Sequence, residues 1–120
     1  SESSAEIREK VEAAREISRE RFREAGFADY ASRSNSLMQT EELRRFCALD
    51  GASQKILEDI FNKTGLSARS YDRILRVART LADLDCGGKM IRENGVLGGT
   101  IKKQHIMEAV QMRSLDKKYW

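Results

Sequence analysis

Apolar residues in this chain recur at helical spacing in five stretches, separated by polar or glycine-containing breaks. At about 100° per residue, Ile7, Val11, Ala14, Ile17 and Phe22 form one stripe and predict a first helix from Ala5 to Glu24. Ser3 followed by Glu6 is a capping-box pattern at its start. Arg8, Arg15, Arg19 and Arg23 form a second stripe, and Glu9, Glu16, Glu20 and Glu24 fill the remaining face. Gly26 ends the helix, and Gly26 to Ser36 reads as a polar loop. A short second helix is predicted from Thr40, as cap, to Ala48, with Leu43, Phe46 and Cys47 inward. Asp50 or Ser53 caps a third helix, whose Ile56, Leu57, Ile60 and Phe61 face the core. Gly65 fits the left-handed position that closes it.

The fourth helix starts on Ser67 as cap and gathers Tyr71, Ile74, Leu75, Ala78, Leu81 and Ala82 on one side. Arg69, Arg73 and Arg76 point the other way and Arg79 falls at the edge. Asp72 and Asp83 lie one turn from Arg76 and Arg79, a spacing that pairs part of this charge within the helix. Gly87 to Gly99 breaks the pattern. This segment reads first as a mobile loop, with a small hairpin as the alternative, because Asn94-Gly95 between Ile91 and Val96 is a two-residue turn signal. Thr100 caps a fifth helix carrying Ile101, Ile106, Ala109, Val110 and Met112. The terminal Trp120 either packs back on the bundle or is exposed.

The expected fold is therefore all-α: one domain over residues 1–120, a small bundle of about five helices. The composition agrees. A third of the residues are charged, proline is absent, and 120 residues can bury a core without disulfides or metal. With 22 basic against 19 acidic residues the formal net charge is only +3, so a nucleic-acid role would depend on local patches. Cys47 and Cys86 lie in different helices and a single histidine, His105, is present, so no familiar zinc spacing can be assembled. Two free cysteines suit a reducing cytoplasm. No stretch suits a membrane span or a signal peptide. The start at a serine suggests processing or a piece of a longer protein.

No phosphate-cradling loop is present: Gly87-Gly88-Lys89 and Gly98-Gly99-Thr100 lack the strand, the spacer and the Lys-Ser/Thr ending. His105, beside Ile106, is expected at the core edge. No catalytic residue and no metal ligand is assigned, and the chain alone is not expected to be a complete enzyme. Chemistry thus rests on the arginines. The stripe on the first helix is expected to be a solvated face paired with neighbouring glutamates. Arg69 differs, because it lies in the first turn of its helix, where a cation opposes the helix dipole. An anion held there would meet backbone N–H groups and a guanidinium together.

Three segments carry a family resemblance. Gly65-Leu66-Ser67-Ala68-Arg69-Ser70-Tyr71-Asp72-Arg73 continues through Arg76-Val77-Ala78-Arg79-Thr80-Leu81-Ala82-Asp83-Leu84. Ser3 to Arg15 precedes it, and His105 to Asp116 follows. In this order they resemble the C-terminal domain of magnesium-chelatase-like AAA+ ATPases of the ComM (YifB) type. The resemblance implies a helical lid following a nucleotide-binding core, inert alone. It further implies that Arg69 is the sensor-2 arginine reaching the γ-phosphate of ATP, bound with Mg2+ by the full-length protein, with Arg73 one turn on as a second nucleotide-side residue. The implied partners are the AAA+ core of the same polypeptide, neighbouring subunits of a ring, and DNA, in DNA processing linked to natural transformation. The resemblance gives no role to the segment Gly87–Gly99. Two other readings of the residues remain: a nucleic-acid-binding module using both arginine faces, and a protein-interaction bundle in which Arg69 is paired internally.

Overall fold

The computed structural model describes residues 2–115. These residues form five α-helices: α1 (Ser4–Glu24), α2 (Thr40–Phe46), α3 (Gly51–Thr64), α4 (Ala68–Asp85) and α5 (Lys103–Leu115). Two residues each from β1 (Arg92–Glu93) and β2 (Val96–Leu97) make an antiparallel ladder between α4 and α5. The all-α expectation holds.

Local chemistry sets most boundaries. The Ser3 side chain accepts the Glu6 N–H, the Asp50 carboxylate accepts the Ser53 N–H at 2.8 Å, and Ser67 Oγ accepts the Ser70 N–H at 3.1 Å. Each satisfies a donor that has no partner within the helix. Gly65 closes α3 at φ 66°, ψ 37°, left-handed as expected.

Helix α4 is the spine. It packs against α5, α1, α2 and a 3-10 turn at Asn35–Leu37. Phe22, Phe46, Leu57, Ile74, Ala78, Ile101 and Ile106 are buried in the main apolar core around it. Phe22 meets Phe27 and Phe46 edge to face at 5.6 and 5.7 Å.

Several expectations are corrected. Gln39, not Thr40, is the cap of α2, its N–H donating to Glu42 Oε1 at 3.4 Å, and the helix stops at Phe46. Ile7 is 50% exposed, because the first turns of α1 run past the core, and Phe61 and Met112 are exposed too. The polar loop expected over residues 26–36 instead holds one 3-10 turn, Tyr30–Ser32, and the start of a second, Asn35–Leu37, and it buries Asn35. Thr100 does not cap α5. Ile101 instead pairs with Leu49 in an isolated parallel bridge, and the helix begins at Lys103. The segment 87–99 forms the hairpin: Asn94 and Gly95 both take positive φ (50° and 76°), as a type I′ turn requires. Lys117 to Trp120 lie outside the described residues. Among the described residues no helix is long and apolar enough to cross a membrane.

Candidate functional site

The two ends of α4 carry different chemistry. At its N-terminus the first turn holds no acidic residue, and Ser67 and Ser70 join hydroxyl to hydroxyl at 3.2 Å. Arg69 stands in this turn, exposed, and forms no ion pair or hydrogen bond among the described residues. The cation therefore gains nothing locally against the helix dipole. Arg73, one turn on, is half-buried. Arg76 donates Nε to the Met38 carbonyl at 2.8 Å, so the pairing expected with Asp72 is replaced by a tie to the turn preceding α2.

Toward the C-terminal end, Arg79 is not at an edge. It is 1% exposed, beside Asp83 at 1% and Arg21 of α1 at 2%. Arg21 grips Asp83 in a bidentate fork, Nη1 to Oδ1 at 2.9 Å and Nη2 to Oδ2 at 2.8 Å. Arg79 Nη2 lies 3.2 Å from Asp83 Oδ1, the pairing expected from spacing, here fully buried. The remaining donors go to backbone carbonyls. Arg79 reaches Phe46, Gly98 and Gly99 at 2.8–2.9 Å, and Arg21 reaches Leu97 at 2.8 Å. Asn35 completes the knot, accepting from Arg21 and Ser18 and donating to Asp83 and Thr80. Burial draws the Arg79 guanidinium below its ordinary pKa, with Asp83 opposing.

This knot fastens α1, the residue 35 turn, α2, α4 and the hairpin to one another. It also accounts for Gly98. A Cβ at that position would stand 2.4 Å from Asp83 Oδ1 and 2.7 Å from Arg21 Nη1, and the backbone there has φ +103°. Sequence reasoning missed Arg21 and Asn35 altogether. A usable signal existed for Arg79, which lies one turn after Leu75 and three residues before Ala82, both apolar-face positions.

Most of the other sequence candidates have partners within the chain. Three of the four arginines of the α1 stripe pair with glutamates one turn earlier, Arg15 with Glu12 at 3.0 Å, Arg19 with Glu16 and Arg23 with Glu20, as expected of a solvated face. His105 is buried. Its Nδ1 accepts the Lys102 N–H at 2.9 Å, which fixes the proton on Nε2, and Nε2 donates to Asp85 Oδ2 at 2.6 Å. It thus caps α5 and ties it to α4. Cys47 and Cys86 are buried free thiols, and burial pushes the Cys47 pKa up to about 12.

The family described as the C-terminal part of the magnesium chelatase subunit ChlI matches residues 1–113. An uncharacterized protein YifB of Escherichia coli is 34% identical over 116 residues, 97% of this chain and 19% of the relative. The competence protein ComM of Haemophilus influenzae is 43% identical over 83 residues, 69% of this chain and 14% of the relative. An uncharacterized protein of Mycobacterium tuberculosis is 37% identical over 83 residues, 69% of this chain and 16% of the relative. The chain spans less than a fifth of the length of these relatives. No solved structure matches it at a significant level. Whole-length agreement with one family, carried by a helical bundle whose α4 holds the resembling segment, leads to one identification: the chain belongs to the magnesium chelatase ChlI C-terminal family, as a C-terminal domain of the ComM/YifB type.

Proposed function

We propose that this chain is the helical lid of a magnesium-chelatase-like AAA+ ATPase, and that Arg69 contacts the γ-phosphate of ATP bound by the core of the parent protein. The observation carrying this reading is that Arg69 stands exposed in the first turn of α4 with no ion-pair partner among the described residues. A guanidinium there and the backbone N–H groups of the helix start suit one anionic oxygen cluster. The reading in which Arg69 is locked inside its own domain loses its main support. Arg73 is the second nucleotide-side residue. ATP and Mg2+ would be held by Walker motifs elsewhere in the parent, since the 120 residues contain none. The implied setting is a cytoplasmic ring whose subunits share nucleotides across their contacts and act on DNA. The name of the ComM relative, a competence protein, accords with DNA processing. The rival reading, a nucleic-acid-binding module using whole arginine faces, is weakened by the near-balanced charge of the chain, +3 overall.

The test is Arg69→Ala in the full-length parent. ATP hydrolysis should fall by at least about tenfold, as for loss of a charge-stabilising donor, with partial retention in Arg69→Lys. Unchanged hydrolysis together with unchanged nucleotide-dependent assembly overturns the assignment.

A further inference from the structure

A cavity of about 460 Å3 opens between α1, residues 31–36 and the C-terminal half of α4. That volume is in the range of small-ligand sites. Arg15 and Arg19, one turn apart on α1, and Arg33 from the opposite side are the three arginines of its lining. Asp83 is the only carboxylate among the described lining residues, and both its oxygens are taken by Arg21 and Asn35. Behind it, two buried guanidiniums face one carboxylate, and the Nε atoms of Arg21 and Arg79 find no acceptor among the described residues. The floor therefore carries an excess positive charge, an arrangement that favours an anion nearby.

The wall is built to exchange partners. Ser34 and Ser36 share one hydroxyl–hydroxyl bond of 2.9 Å. Arg15 and Arg19 each use a single Nη on an exposed glutamate outside the lining, and such surface pairs contribute about 0–1 kcal/mol. Arg33 is held in place: its guanidinium stacks 4.0 Å above the Phe27 ring, while Nε and Nη1 engage Asp29 and Glu42. Val11 and Leu84 give the same cavity an apolar side.

We propose that this cavity binds an organic phosphate, with the phosphate on Arg15, Arg19 and the serines and the organic part against Val11 and Leu84. It is a separate site from Arg69. Asp83 lies about 21 Å along α4 from that residue at 1.5 Å per residue, so the inference does not depend on the sensor assignment. Two sources share this chemistry, a free nucleotide and the end of a nucleic-acid strand.

Calorimetric titration of the chain at low salt with inorganic phosphate, ADP and a 5′-phosphorylated single-stranded oligonucleotide tests it. The proposal expects saturable binding of ADP or the oligonucleotide, tighter than inorganic phosphate, with amide shift changes at Ser34 and Ser36. Affinity should weaken by roughly tenfold or more in the doubly substituted R15Q/R19Q chain, with Arg69→Ala binding like the unsubstituted chain. A preference for ADP identifies the nucleotide source. A preference for the oligonucleotide, with steep salt dependence, identifies the strand. R15Q/R19Q alters one exposed and one half-buried position of α1, and an unchanged circular dichroism spectrum verifies its fold. Absence of binding by every probe, binding unchanged in R15Q/R19Q, or binding lost with Arg69 overturns the proposal.

Discussion

Arginine plays three physical parts in this molecule, and substitution separates them. Arg15, Arg19 and Arg23 are solvated and paired along one face. Arg21 and Arg79 are interior fasteners, and Arg69 is a cation with no ion-pair partner among the described residues. Removing Asp83 strands two buried positive charges, so Asp83→Ala should cost about 3–5 kcal/mol in urea denaturation. Arg69→Ala in the same assay should be neutral or stabilising by a few tenths of a kcal/mol, about the reach of a helix dipole on an exposed charge. Equal losses from the two would contradict the division of roles. The Cys47 thiol, pushed up to about 12 by burial, should resist alkylation in the native chain at pH 8 and react when the chain is unfolded. Its raised pKa favours the folded state fully below the ordinary thiol value of about 8.5. That contribution should be lost as pH rises through 12.

At the scale of elements, the helix ends were legible because their chemistry is local. Ser3, Asp50, Ser67 and Gly65 act on backbone groups within a few residues, so the letters there name both the boundary and its cause. Gly65→Ala should destabilise by about 1 kcal/mol from the left-handed backbone alone, since nothing lies within 4 Å of the added Cβ. Gly98→Ala adds a collision with the buried ion cluster and should cost clearly more in the same denaturation experiment. The hairpin is faint in the sequence because its stability is not in its turn. Asn94-Gly95 permits it, but the carbonyls of Leu97, Gly98 and Gly99 are held by arginines from α1 and α4. The start of α5 departs from the sequence expectation for a related reason. Thr100 is a good cap by type, yet its N–H is taken by Glu93 and the capping acceptor is a histidine anchored to α4.

Across the whole molecule, α4 separates its charges by distance: an arginine with no ion-pair partner among the described residues at one end, and a buried ion cluster beside an arginine-lined cavity toward the other. Acid should act on the surface of this arrangement. Glu20, Glu24 and Asp29 are held below the ordinary carboxylate range chiefly by arginine hydrogen bonds, and Asp50 by the Ser53 N–H. Each folded pKa lies below its unfolded value. The stability they contribute is present above about pH 4 and lost as pH falls through the depressed values. Thermal melts should show a lower midpoint at pH 3 than at pH 6, and Asp50→Asn, which keeps a capping oxygen, should reduce that difference.

The sequence by itself determined the five helices, the caps of α1, α3 and α4, the all-α class and the family, because periodicity and capping are properties of neighbours in the chain. It also singled out Arg69, whose position in a first turn is a local fact. Only the tertiary structure decided which charges are interior. Arg21 is 62 residues from the carboxylate that it grips and 76 from the carbonyl of Leu97. Burial of an ion depends on the simultaneous arrival of such distant partners. No window of sequence contains that information, and the same arginine letter therefore serves on the surface at Arg19 and in the interior at Arg79.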